Sequence, residues 1–259
     1  MRIPGLLYHT LESEKKSREK YTLSRGQFEQ QMRFLFENGF ASVLLDDVCN
    51  PYSLLATKAV AITFDDGNLS DYSVAHPILR KYGFVATFFV PIAWIGRKNY
   101  MDWTHLRHMA LEGMSIQSHG LTHSFLSDLS EDALSKELHD SKRVIEENLG
   151  TSVKYISMPG GCYSNAVLRL ARQAGYRGVM TSTPGLNCSK TNQMEFLLLK
   201  RFNITQKTSF DKFVALANGD LFRSSLERSE YLIKSSIRRV LGNRAYYTIW
   251  SKFSKYVNG

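Results

Sequence analysis

The sequence predicts an α/β fold in which parallel strands are joined by crossover helices. Short apolar runs typical of strands alternate with helix-like periods from about residue 40 to residue 218, and this alternation is typical of parallel sheets. The 259 residues are 43% hydrophobic and 22% charged, which suits a folded globular chain. Strands of this kind form either an open sheet or a barrel, and the alternation alone does not distinguish the two.

Each predicted element has boundary residues that support it. Ser24 is suited to cap a helix that stops at Gly39, and Ser130 is suited to cap a long helix over 129–150. Apolar runs typical of strands stand at 40–45, 59–64, 84–91, 114–118, 153–157, 177–182 and 195–204. Further helices are predicted at 79–83, 103–113, 165–176 and around 209–218.

The composition changes at about residue 220. From 221 to 259 no run is typical of a strand, and eight basic residues stand against Glu227 and Glu230. We therefore predict a domain over 1–220 and a basic helical tail over 221–259. Its mixture of cations and aromatic residues is typical of a helix at a membrane interface. The equally weighted alternative is a helix packed on the fold, with its charges in water.

Charge and cysteine content narrow the function classes. The formal net charge of +9 favours contact with anionic partners, or serves only solubility. The odd cysteine number and the lack of a CxxC pair argue against a disulfide framework and a cysteine zinc site; the cysteines are Cys49, Cys162 and Cys188.

The first residues do not resemble a signal peptide, and no run approaches the roughly 20 apolar residues of a membrane span. We therefore expect a cytoplasmic protein, peripheral at the inner membrane face if the tail binds lipid.

Three predicted strands end in unusual residues. Asp65 and Asp66 follow the strand at 59–64, His119 and His123 follow the strand at 114–118, and the letters MPGGCY follow the strand at 153–157. Because the carboxyl ends of parallel strands lie on one face, these three segments are expected to converge. Two adjacent carboxylates repel each other unless a positive charge lies between them.

A metal ion would supply that charge. His119 and His123 are four residues apart, and within one helical turn this spacing places both imidazoles on the same side. Two imidazoles and one carboxylate form a three-ligand hydrolytic site, and the second aspartate is then free to accept a proton. Taken singly, the DDG letters are typical of a turn and the HxxxH letters of a surface pair. Their joint occurrence at strand ends is much more specific.

The letters TFDDG (63–67) followed by SHGLTH (118–123) resemble the polysaccharide deacetylase family, which is the NodB-homology or carbohydrate esterase family 4 domain. The resemblance covers about residues 1–205. It implies a distorted (β/α) barrel, hydrolysis of N-acetyl groups on amino sugars, and one divalent metal ion, with zinc as the default. It also implies that Asp65 is the catalytic base and that Asp66, His119 and His123 bind the metal.

Two family motifs are altered. The third motif usually carries an arginine, but residues 157–161 read SMPGG, and the usual late Leu-x-x-His is absent. The chain resembles a subgroup, the biofilm poly-N-acetylglucosamine deacetylases, in which motif order is permuted and a Tyr-His near the amino terminus supplies the acid. Tyr8-His9 fits that role, whereas the alternative for His9 is a core or turn histidine. Arg201, after a late strand, is a candidate to replace the missing arginine.

The remaining candidates concern the substrate. A backbone N–H near Gly160, beside Pro159, would hold the oxyanion, and Trp103 would stack on a sugar ring. Cys162 has no evident base partner and is not predicted to be a nucleophile. We expect an N-acetylated polysaccharide or lipid-linked glycan as partner, and no nucleic acid. Two alternatives stay open, namely an inactive carbohydrate-binding module and, less favoured, a non-haem iron oxygenase.

Overall fold

A mostly parallel sheet curves into a nearly closed barrel that is surrounded by helices. The computed structural model describes residues 2–12, 21–48, 58–188, 196–243 and 245–246. The strands are β1 (Arg2–Tyr8), β2 (Leu11–Glu12), β3 (Leu23–Ser24), β4 (Ala41–Ser42), β5 (Ala59–Phe64), β6 (Thr87–Val90), β7 (Ser115–Ser118), β8 (Tyr155–Ser157), β9 (Gly178–Met180), β10 (Leu186–Cys188), β11 (Leu197–Leu199) and β12 (Phe202–Asn203). The predicted α/β barrel is confirmed.

Helices cover the outside of the barrel. They are α1 (Arg25–Glu37), α2 (Leu45–Val48), α3 (His76–Lys81), α4 (Trp103–Leu111), α5 (Glu131–Leu149), α6 (Asn165–Gln173), α7 (Phe210–Ala217) and α8 (Leu221–Leu241). A π-helical turn, Asp71–Ala75, precedes α3, and short 3₁₀ turns stand at Ile92–Trp94, Leu126–Asp128 and Pro159–Gly161.

The sheet runs in the order β10-β1-β5-β6-β7-β8-β9-β11, and β12 pairs with β1 in parallel. Every residue of β5 is buried, as expected for a parallel strand with both faces covered. The parallel pairs place the carboxyl ends of β5, β7 and β8 on the same rim of the barrel.

Capping residues fix the helix ends as the sequence predicts. The Ser24 side chain accepts a hydrogen bond from Gln27 N, and the Gln27 side chain accepts one in return from the Ser24 backbone. This capping box begins α1. Ser130 accepts from Ala133 N at the start of α5, and Gly150 ends that helix with φ of 65°, a left-handed conformation that glycine adopts easily.

Two strand predictions need correction, and one central strand was missed. The run 40–45 forms only β4, after which the chain turns into α2. The run 195–204, whose residue 195 lies outside the described part, is divided into β11 and β12 at Lys200 and Arg201. Strand β1 was not predicted, although it lies centrally, parallel to β5 and antiparallel to β10.

The basic tail begins as a helix, as predicted. Its described part is α8 and a few residues beyond, and residues 247–259 lie outside the described structure. Glu227 of α8 forms an ion pair with Lys212 of α7, and Arg238 donates to the carbonyl oxygen of Gly160 at 2.9 Å. The division at residue 220 stays a prediction. None of the described helices is both long and apolar enough to cross a membrane.

Candidate active site

The predicted acid, base and metal ligands meet in a pocket of about 460 Å³ at the carboxyl rim of the barrel. Its lining includes His9, Asp65, Asp66, His119 and His123. Each of these residues follows the carboxyl end of a strand. His9 follows β1, the two aspartates follow β5, and the two histidines follow β7. The convergence of distant segments that the strand pattern predicts is therefore present.

The predicted metal ligands are grouped as a metal ion would require. Asp66 Oδ1 lies 3.4 Å from His119 Nε2 and 3.2 Å from His123 Nε2. Tetrahedral bonds of about 2.0–2.1 Å place ligand atoms about 3.3 Å apart, so this spacing fits zinc. His119 Nδ1 lies 2.9 Å from the Ser157 carbonyl oxygen, which turns Nε2 towards the other ligands, as in known metal sites.

A loop, rather than a helical turn, brings the two histidines together. The predicted helical geometry for residues 119–123 is wrong, because Gly120 and His123 adopt φ of 83° and 65°. The Glu137 carboxylate on α5 fixes this loop by accepting hydrogen bonds from Leu121 N at 2.7 Å and from Thr122 N at 3.1 Å. Sequence reasoning missed Glu137, which lies on the long amphipathic helix among ordinary surface charges.

Arg201 is bound to Asp65 in a two-pronged ion pair. Arg201 Nη1 donates to Asp65 Oδ1 at 2.7 Å, and Nη2 donates to Oδ2 at 2.9 Å. Ser157 Oγ donates to the same Oδ2 at 2.8 Å. Arg201 is fully buried and Asp65 is 4% exposed. Arg201, a candidate to replace the arginine missing from the third motif, therefore lies in direct contact with Asp65.

Comparison with known proteins agrees with this geometry. The family model described as "Polysaccharide deacetylase" matches residues 55–179. YxkH from Bacillus subtilis (strain 168), assigned by its name to the polysaccharide deacetylases, is 33% identical over 191 residues, which are 71% of this chain and 66% of YxkH. The chain belongs to the polysaccharide deacetylase family.

The chain is also similar to two further deacetylases, one of them a solved structure. The deacetylase PplD from Streptococcus pyogenes, solved in complex with acetate, is 26% identical with a TM-score of 0.76, covering 84% of this chain and 98% of PplD. The poly-β-1,6-N-acetyl-D-glucosamine N-deacetylase of Staphylococcus aureus (strain MSSA476) is 26% identical over 181 residues, or 64% of this chain. The aligned region spans 66% and 62% of the two curated relatives. The resemblance to the biofilm subgroup is confirmed.

Charge interactions keep both aspartates ionised. Burial alone would raise the pKa of Asp65, but the Arg201 guanidinium and His119 outweigh burial and hold that pKa below its ordinary value. Burial also opposes ionisation of Asp66, yet hydrogen bonds from His119 and His123 hold its pKa well below the usual range. Because Arg201 already pairs with Asp65, the negative charge of the partly buried Asp66 is left to favour a divalent cation.

His9 lies in the pocket within reach of the same charges. Its Nδ1 is buried and has no hydrogen-bond partner among the described residues, and its ring lies 5.0 Å from the Tyr21 ring. Burial lowers the pKa of His9, although Asp66 and Asp65 partly oppose this. His9 therefore lines the pocket, and a purely core or turn position does not describe it.

The turn Pro159–Gly161 contributes one of its two predicted residues to the pocket lining. Gly160 lines the pocket with φ of 63°, whereas Pro159 is buried and is not among the lining residues.

Cys162, which follows this turn, donates to Asn243 Oδ1 at 3.1 Å, and burial raises the pKa of its thiol to about 11. A thiol with so high a pKa is a poor nucleophile at neutral pH, as expected.

Trp103 does not line the pocket, so the prediction that it stacks on a sugar is wrong. Asp102 caps α4 by accepting from Thr104 N and His105 N, and Trp103 packs against the hydrophobic core at the start of that helix. Trp94 instead lies beside the ligands, with its ring 4.2 Å from the His123 ring. No sequence signal distinguished Trp94 from a core aromatic residue.

The tail helix α8 forms one wall of the pocket, which the sequence analysis did not foresee. Glu227, Tyr231, Lys234 and Arg238 line the pocket together with Lys212 of α7. These α8 positions are three or four residues apart, so they share one helical face. That spacing is visible in the sequence, but only the packing shows that the face is directed to the site.

Proposed function

We propose that the chain is a metal-dependent hydrolase that removes N-acetyl groups from the amino sugars of a glycan. The observation that carries the proposal is the buried Asp65–Arg201 ion pair beside the ligand set of Asp66, His119 and His123. Asp66 thus belongs to the ligand set, whereas Arg201 holds Asp65 apart from it. This division of roles suits hydrolysis.

Each protein group then has a defined task. A divalent cation held by Asp66, His119 and His123 would supply Lewis acidity at the acetyl carbonyl. Asp65, kept ionised by Arg201, accepts a proton from the attacking water as its oxygen bonds to the acetyl carbon. A backbone N–H near Gly160 stabilises the oxyanion. His9 donates a proton to the nitrogen as the C–N bond breaks, so that acetate and a free amine leave.

The geometry also bears on the two alternatives. The missing third-motif arginine favours an inactive binding module, but the buried ion pair of Arg201 with Asp65 supports a working site. A non-haem iron oxygenase needs two histidines and one carboxylate but has no use for a second, arginine-bound carboxylate. Both considerations favour hydrolysis.

The decisive experiment measures acetate released from a panel of N-acetylhexosamine polymers, with and without chelator. Release should require a divalent ion and should persist with zinc, which is redox-inert. Asp65→Asn should keep the metal but lose most turnover, since an amide cannot accept the proton. Release of acetate by Asp65→Asn at the parent rate would refute the assigned base, and no release from any polymer by the metal-loaded parent would refute the function.

We further propose that α8 binds an anionic membrane surface peripherally, which would present the site to a lipid-linked glycan at the inner face. The helix face turned away from the pocket carries exposed apolar side chains, including Phe222 (74% exposed), Ile233 (63%) and Val240 (86%). Basic residues, among them Arg228 and Arg239, accompany them. Exposed apolar residues flanked by cations suit the headgroup region of a bilayer.

Co-sedimentation with anionic vesicles at low and high salt tests this membrane proposal. The parent chain should sediment at low salt, and the triple variant Phe222→Ser/Ile233→Ser/Val240→Ser should lose binding. Leu111→Ser is a matched control, because Leu111 is 82% exposed on another helix. A parent chain that stays in the supernatant, or a triple variant that sediments equally, would show that α8 is not a membrane contact.

A further inference from the structure

A second cluster of metal-binding side chains lies outside the active site, between α3 and α4. His76 begins α3, His108 lies in the last turn of α4, and Glu112 caps the end of α4. Their ligand atoms all lie within 4.8 Å of one another. This composition, two imidazoles and one carboxylate, is the same as that of the catalytic ligand set.

The distances within this cluster match those of a metal site. Glu112 Oε2 lies 2.9 Å from His76 Nε2 and 3.8 Å from His108 Nε2. These values bracket the separation of about 3.3 Å expected between tetrahedral zinc ligands. Both histidines approach the same carboxylate oxygen through Nε2, as His119 and His123 approach Asp66.

Hydrogen bonding alone does not account for this arrangement. His76 Nε2 and Glu112 Oε2 are buried, and neither has a hydrogen-bond partner of acceptable geometry in the described structure, although they are 2.9 Å apart. Buried polar atoms without partners are costly. A cation between them would satisfy both atoms at once.

Two neighbouring side chains hold the ligands of the cluster in place. Arg80 donates to Glu112 Oε1, which leaves Oε2 directed to the histidines, and ligating carboxylates are usually held by such outer hydrogen bonds. The Tyr72 ring lies 5.9 Å from the His76 ring and 5.7 Å from the His108 ring. It packs beside both imidazoles and limits their movement.

We propose that His76, His108 and Glu112 form a second site for a borderline divalent cation such as zinc, linking α3 to α4. Imidazole and carboxylate ligands suit this class of ion. Such an ion would join two helices that are otherwise held here by packing and by Arg80. The proposal is independent of the proposed deacetylase activity.

Zinc stoichiometry, measured after dialysis of the full chain against micromolar zinc, tests the proposal. The parent should bind two ions, His108→Ala one, His123→Ala one, and the double variant none. His108 is 49% exposed and alanine favours helices, so the fold should survive, as circular dichroism will verify. His139→Ala, at an exposed position on α5, is the matched control and should still bind two.

A second variant separates coordination from helix packing. Glu112→Gln preserves an oxygen for Arg80 but removes the carboxylate charge, so zinc affinity at the second site should fall at least about tenfold. Zinc should also raise the melting temperature of His123→Ala and not that of His108→Ala/His123→Ala. A His108→Ala variant with the same zinc stoichiometry as His139→Ala would overturn the second site, whether the parent binds one ion or two.

Discussion

Arg201 shows how strongly one buried side chain can fix the charge and orientation of the carboxylate that we propose as the base. Its two donors match the two oxygens of Asp65, and its Nε donates to the Thr181 carbonyl oxygen at 3.0 Å. The guanidinium therefore fixes both the charge and the orientation of Asp65. A lysine could supply the charge but not the paired geometry.

Substitution of Arg201 should separate these two contributions. Arg201→Lys should retain the metal while turnover falls by about 10- to 100-fold, because Asp65 loses its fixed orientation. Arg201→Ala should lower the free energy of unfolding by about 3–5 kcal/mol, because a buried charge is left unpaired. Thermal unfolding, metal analysis and acetate release are the measurements. Arg172→Lys, at an exposed position on α6, is the control, and parent-like turnover by Arg201→Lys would contradict the orienting role.

His9 should matter most when the leaving group needs a proton. His9→Ala should slow amide hydrolysis by about 10²–10⁴-fold, the usual contribution of a positioned acid. Phenyl esters should be much less affected, because a phenolate can leave unprotonated. Rates on both substrate types, normalised to those of His139→Ala, provide the measurement. Equal losses on amides and esters would assign His9 a structural role instead.

At the scale of elements, the rim of the parallel strands was predictable and the closure of the barrel was not. The strand ending at Phe64 and the strand ending at Ser118 follow directly from apolar runs and their terminating residues. Strand β1 escaped prediction because it contains Pro4 and Gly5, which normally argue against a central strand. The break between β11 and β12 turns Arg201 into the barrel. This break depends on packing against β1, which no local sequence pattern predicts.

Gly5 permits that close packing. A Cβ atom at Gly5 would lie 2.6 Å from the Lys200 carbonyl oxygen and 3.1 Å from Arg201 Cγ. Gly5→Ala should therefore cost about 1–3 kcal/mol of stability and reduce turnover, because Arg201 must shift. Chemical denaturation and acetate release measure both effects. Gly26→Ala is the control, since nothing lies within 4 Å of the corresponding Cβ; equal stability of both variants would argue against the close approach.

The ligand loop shows a different limit of sequence reasoning. The four-residue spacing of His119 and His123 correctly indicated that both belong to one site, yet the helical geometry assumed for them was wrong. Gly120 turns the chain out of a helix, and Glu137 then holds the loop from α5. Spacing identifies partners, but the backbone path between them depends on distant contacts.

At the scale of the whole molecule, the buried ion pair should leave a signature in acid unfolding. The folded-state pKa of Asp65 lies below its ordinary value, which is about 3.9 in an unfolded chain. The ionised pair therefore stabilises the fold above about pH 4, and this stabilisation is lost as the pH falls through the folded-state pKa. Asp65→Asn should show a shallower loss of unfolding free energy between about pH 5 and pH 2.

Denaturant titrations across that pH range provide the measurement. Asp132→Asn, at an exposed position in the first turn of α5, should keep the parental slope. If Asp65→Asn also kept the parental slope, the carboxylate would not be ionised against Arg201 in the folded chain.

The pairing of β1 with both β5 and β12 has a consequence for the order in which the site assembles. Asp66 and His119 are 53 positions apart, whereas Arg201 and Asp65 are 136 positions apart, and β12 after Arg201 pairs Phe202 with Leu6 across 196 positions. Contacts so distant in sequence form late, because a long loop must first be closed. We therefore expect the cation ligands to assemble before Asp65, the proposed base, gains its ion pair with Arg201. Transient separation of β12 from β1 would then reduce turnover while the ligand set stays in place.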